Sequence, residues 1–76
     1  MLRVLFFGEL AEVAGMRECE FPLTNHTGSL MADLQEKWPG LKQKTISMAV
    51  NHKIVNAEFR LKEGDEIALL PPFSGG

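Results

Sequence analysis

Val4-Leu5-Phe6-Phe7 is an unbroken run of β-prone apolar residues, which predicts a strand covered on both faces in the centre of a sheet. Gly8 ends it. From Glu9 to Ala14 the apolar positions are Leu10, Val13 and Ala14, the spacing of a short helix, and Gly15 is its stop. Between Arg17 and Leu23 the pattern alternates: Cys19, Phe21 and Leu23 take one side, Glu18, Glu20 and Pro22 the other. That predicts a half-exposed strand, and Pro22, which cannot donate to a ladder, puts it at an edge. Asn25 to Ser29 is turn chemistry, and Thr27 or Ser29 is expected to cap the helix that follows. Leu30, Leu34 and Trp38, with Met31 beside them, form one helical stripe that Pro39 and Gly40 bring to a stop. Ile46, Met48 and Val50 alternate with Ser47, Ala49 and Asn51. Asn51-His52-Lys53 then reads as a turn into Ile54-Val55, closing a hairpin. Lys62 to Asp65 is a second turn, Ile67 to Leu70 a second wholly apolar strand, and Pro71-Pro72 forces an extended exit from the sheet.

The order strand, short helix, strand, helix, strand, strand, strand predicts an α+β fold. A mixed sheet of about five strands would carry one main helix packed across it, with the short helix after the first strand. The first and last strands, apolar throughout, would be parallel neighbours in the middle. This is the β-grasp arrangement of ubiquitin-like proteins. It divides the chain into a domain over residues 1–70 and an extended tail over residues 71–76.

With 76 residues there is room for one small domain. A cleft of a few hundred Å³ would be hard to house in it, which directs attention to an edge or a terminus. A net charge of −2 leaves no footprint for nucleic acid or an anionic membrane. One cysteine excludes an internal disulfide framework and a cysteine-based zinc site, and points to a reducing cytoplasm. Lys37, Lys42, Lys44, Lys53, Arg60 and Lys62 stand against Glu58 alone over residues 37–62. They are either solvated surface or a mildly basic face for an acidic partner.

Few side chains are placed for chemistry. Cys19 falls on the inward side of its strand, where a thiol is protonated and inert. His26 and His52 sit in turns with no metal-ligand spacing and read as surface. Asp65 is expected to stabilise its own Gly-Asp turn. No phosphate loop, paired-carboxylate motif or Ser-His-Asp set is present, so the chain carries no catalytic site of its own. The tail remains. Four residues beyond Pro72 extend roughly 13 Å at about 3.3 Å each, ending in Gly75 and Gly76. Lacking Cβ atoms, they can enter a channel too narrow for any other residue, and the Gly76 carboxylate is unhindered. The two prolines lower the entropy cost of threading the tail into a partner. Such a carboxylate becomes an electrophile only after activation, for instance adenylation by ATP. The ATP chemistry must come from another protein.

Three stretches make the chain resemble the ubiquitin-like sulfur carriers that form the small subunits of molybdopterin synthases. They are the opening from Val4 to Gly15, Met48 to Asn51, and the closing run from Leu61 to Gly76 with its Gly-Asp, Pro-Pro and Ser-Gly-Gly features. Phe73 departs from the smaller aliphatic residue common at that position. The resemblance implies a cycle. An E1-like adenylating enzyme activates Gly76. Sulfur from a persulfide donor protein converts it to a thiocarboxylate, and the tail delivers that sulfur to a pyranopterin precursor inside a large catalytic subunit. The assembly would be a heterotetramer of two small and two large subunits. Gly75 and Gly76 would carry the chemistry, and Pro71, Pro72, Phe73 and Ser74 would contact partners; Phe73 could equally fold back on the sheet. No cofactor would be bound. The rival readings are a sulfur carrier for thiamine or transfer-RNA thiolation, a protein modifier that forms isopeptide bonds, and a β-grasp interaction module with an idle tail.

Overall fold

The two wholly apolar strands lie side by side in the middle of a five-stranded sheet. The computed structural model describes residues 1–72. Along the chain run β1 (Leu2–Phe6), α1 (Glu9–Ala14), β2 (Glu18–Phe21), α2 (Thr27–Lys37), a 3₁₀ turn (Pro39–Gln43), β3 (Ser47–Val50), β4 (Lys53–Val55) and β5 (Glu66–Leu70). The sheet order is β2-β1-β5-β3-β4, with β1 and β5 parallel and every other pair antiparallel. This is the α+β, β-grasp architecture that the apolar pattern predicts, and β2, the strand before Pro22, is an edge.

One face of the sheet is closed by α1, α2 and the 3₁₀ turn. Leu2, Val4 and Phe6 of β1, Ile67 and Leu69 of β5, and Met48 and Val50 of β3 meet Leu10, Leu30, Leu34 and Leu41 in a single core. Phe6 packs edge-on against Trp38 with ring centroids 5.2 Å apart, a geometry that favours the aromatic quadrupoles. Asp65 stabilises its own turn, as expected, and is buried there. Its carboxylate accepts from the backbone N–H of Lys62 at 2.8 Å and from Asn51 Nδ2 at 3.0 Å, tying the last turn to the hairpin turn.

Several local expectations are corrected. Leu23 lies outside β2 and is exposed, because the strand ends at Phe21, just ahead of Pro22, and the alternation has no ladder to follow. The hairpin turn is two residues, Asn51 and His52, both at positive φ (50° and 76°), and Lys53 already belongs to β4. Neither Thr27 nor Ser29 caps α2. The cap is His26, whose Nδ1 accepts from the Ser29 N–H at 3.2 Å, so His26 is a half-buried structural group and not solvated surface. Thr27 is fully buried and donates its hydroxyl to the Asn56 carbonyl at 2.6 Å. The N–H groups of Thr27 and Gly28 go to the carbonyls of Phe59 (3.0 Å) and Ala57 (2.7 Å). The first turn of α2 is thereby satisfied by the segment between β4 and β5. Replacing His26 by Ala should cost about 1 kcal/mol, with His26→Asn recovering most of it, as read by urea unfolding.

Candidate functional site

The other face of the sheet has no helix over it. Register places Arg3, Leu5, Glu66, Ala68, Leu70, Ser47, Ala49, Ile54, Glu18 and Glu20 on that side. The face is polar at one end and apolar at the other. At the end where β1 and β5 begin, Arg3 pairs with Glu18 at 3.1 Å and with Glu66 at 3.7 Å, and His52 lies 3.6 Å from Glu66. These are surface pairs and add little stability, but they mark a charged rim. Toward the end where β5 leaves the sheet, Leu5, Phe7, Ala49, Ile54, Ala68 and Leu70 line a shallow hollow of about 290 Å³, with His52 and Glu66 of the charged end also on its wall. Phe7 is 46% and Ile54 65% exposed. The expectation that Val4 to Phe7 is covered on both faces is therefore corrected: within this chain only one face is covered.

The apolar end of the face is also the root of the tail. Leu70 is half-buried, Pro71 half-buried and Pro72 exposed. Phe73, Ser74, Gly75 and Gly76 lie outside the described residues. The root is braced from β1. Phe7 N–H donates to the Leu69 carbonyl at 3.2 Å, and the next residue, Gly8, sits directly against Pro71. Reasoning from sequence passed over this surface, although the signal was there. Strands that are apolar on both sides in a chain with one main helix leave one side without a cover.

The remaining candidates are placed as follows. Cys19 points toward the core from β2 and is half-buried; burial pushes its thiol up, and the Lys37 ammonium only partly offsets this. His52 is 88% exposed. Among the described residues no three of His, Cys, Asp and Glu are grouped to hold a metal ion, and no helix is long and apolar enough to cross a membrane. Of the basic residues, Lys44 is paired with Glu9 at 3.2 Å and Lys37 lies 5.4 Å from the centre of the Trp38 ring.

Known proteins share this fold. The chain is 40% identical, over 99% of its length and 98% of the relative's, to a molybdopterin synthase sulfur carrier subunit of Chlamydomonas reinhardtii. It superposes with a TM-score of 0.73 and 37% identity on a chain of the Helicobacter pylori complex of subunits 1 and 2 of molybdopterin-converting factor, covering 99% of this chain and 97% of that one. A TM-score of 0.82 with 29% identity relates it to the small archaeal modifier protein 1 of Methanosarcina acetivorans, over 99% and 95% of the two chains. The profile of the ThiS family matches residues 4–76, which takes in the apolar strands, the open face and the glycine-ended tail, and the chain is a member of that family.

Proposed function

We propose that this chain is the sulfur carrier subunit of a molybdopterin synthase, with the Gly76 carboxylate as its working group. The observation that carries the reading is the 40% identity to a carrier subunit of that name across essentially the whole of both chains. In the cycle, the Gly76 carboxylate attacks the α-phosphorus of ATP on an E1-like partner and pyrophosphate leaves. A persulfide sulfur of the donor protein attacks the acyl carbon and AMP leaves. A thiol then reduces the acyl disulfide, releasing the thiocarboxylate. In the large subunit that sulfur attacks an electrophilic carbon of the pyranopterin precursor and displaces the oxygen substituent there, and water then cleaves the C–S bond on the acyl side, returning the carboxylate and leaving the sulfur on the precursor. Two sulfurs make one dithiolene, so two loaded carriers serve each product. The carrier itself binds no cofactor.

The open apolar face is the surface on which the large subunit docks. It is continuous with the tail root, so a partner that covers Leu5, Phe7, Ile54 and Leu70 also receives the tail. The charged rim of Arg3, Glu18 and Glu66 sets the register of docking. Ile54 is exposed in the free chain, so Ile54→Glu should leave the fold intact while weakening the complex at least about tenfold, ~1.4 kcal/mol, by calorimetric titration.

Intact mass spectrometry after incubation with cell extract and ATP tests the reading: a sulfur-for-oxygen gain localised to Gly76, and capture of the large subunit, are expected. The likeness to a small archaeal modifier protein favours a second reading, in which Gly76 is joined to lysines. Adducts carrying Gly76 in an isopeptide bond, with no thiocarboxylate, would establish it instead.

A further inference from the structure

We propose that the contact between Gly8 and Pro71 aims the tail, making Gly8 a positioning residue for delivery of Gly76; the inference rests on the carrier reading above. Gly8 has φ +58° and ψ −137°, a backbone region that L side chains rarely adopt. Its missing side chain faces the tail root. A Cβ there would lie 3.1 Å from Pro71 Cγ, 3.8 Å from Cδ and 4.0 Å from Cβ.

Gly8 is held on both sides. Before it, the Phe7 N–H is bonded to the Leu69 carbonyl at 3.2 Å. After it, the Gly8 carbonyl accepts from Ala11 N–H at 3.1 Å in the first turn of α1. Pro71 therefore rests on a fixed piece of backbone, and its ring fixes its own φ. Sheet and helix together set the direction in which the chain departs. Five residues follow Pro71, so the direction in which the chain leaves the sheet is where a partner that receives the terminus first meets it. A misdirected start costs the partner a rearrangement before the terminal carboxylate can reach its reacting geometry.

A purely conformational role for Gly8 makes a different prediction from an aiming role, and a double-mutant cycle separates them. Pro71→Ala removes the ring atoms that a Cβ at position 8 would meet, but it does nothing for backbone strain at position 8. The readout is the activating enzyme's dependence on carrier concentration. Gly8→Ala should raise the half-saturating concentration about tenfold with little change in maximal rate, and Pro71→Ala about threefold. The double variant should resemble Pro71→Ala, although its melting temperature stays as low as that of Gly8→Ala. Single effects that multiply in the double variant, or a Gly8→Ala chain that saturates like the parent, would overturn the proposal.

Should Gly8→Ala not fold at the assay temperature, the residual dipolar coupling of the Pro72 Cα–Hα bond gives the answer in Pro71→Ala. A marked reduction from the parent value is expected, and an unchanged coupling overturns the aiming role. That measurement needs no partner. A parent chain that is never activated would sink the carrier reading, while this coupling would still decide whether the contact directs the tail.

Discussion

A chain ending at Ser74 should melt at the temperature of the full-length protein and acquire no sulfur at all. Among the described residues the core lies within residues 2–69, and two terminal glycines have no side chain to add to it. What their loss removes, on the carrier reading, is the acyl group that is activated. The new terminus would be a serine carboxylate two residues short of the reacting position, a deficit of about 7 Å, and its side chain would have to enter a passage shaped for a bare backbone. Activation depends on near-attack geometry within a fraction of an ångström, so the expected loss is complete, not graded. Gly76→Ala keeps the length and adds one methyl, and should reduce loading at least about a hundredfold, ~2.7 kcal/mol, with the melting temperature unchanged. Mass spectrometry for loading and calorimetry for melting decide both. A truncated chain that still supports molybdoenzyme activity would refute the carrier reading, and a truncated chain that melts much lower would show the tail to be structural.

The second large effect is on the fold. Leu69→Ala should cost about 3 kcal/mol and lower the melting temperature by roughly 15 °C. Leu69 has no exposed surface and belongs to β5, which pairs with β1 on one side and β3 on the other. Truncating it leaves a void in the layer where Phe6 and Met48 are its cross-strand neighbours. In a domain this small such a loss is a large part of the total stability. Ile54→Ala, on the same sheet but the open side, should change stability by less than about 0.5 kcal/mol. Urea unfolding of the two variants provides the comparison, and equal effects would mean that the two faces are not as different as their packing suggests.

The fold could be read from the chain because its signals are strong and agree with one another. Two unbroken apolar runs had to be central strands, Pro22 marked an edge, and Trp38-Pro39 ended a helix. The errors have local causes. His26 was passed over as a cap because an imidazole accepts a hydrogen bond only in one tautomer and geometry, which no composition rule encodes, whereas Thr27 and Ser29 are favoured caps by type. Leu23 was placed in the strand because alternation continues on paper past a proline that ends pairing in space. The 3₁₀ turn of Pro39–Gln43 looked like a plain break because only tertiary packing, with Leu41 buried on α2, makes it a structured element. The working end that we propose rests on the terminal residues of the sequence alone, through the chemistry of a glycine carboxylate. The Gly8–Pro71 contact was not, since residues 63 positions apart meet only once β1 and β5 lie parallel.

The open face also limits how tightly the carrier can be held. On the carrier reading, the activating enzyme and the large subunit must each receive the same tail, whose root adjoins this patch, so they exclude one another and every delivery requires a complete release. With association near 10⁶ M⁻¹s⁻¹, a partner holding at ~1 nM would let go only about once in a thousand seconds, whereas one holding at ~1 μM lets go about once a second. Tight binding by either partner would then stall the shuttle. A small patch, with Leu5 and Leu70 half-covered by their own neighbours, keeps the carrier in circulation.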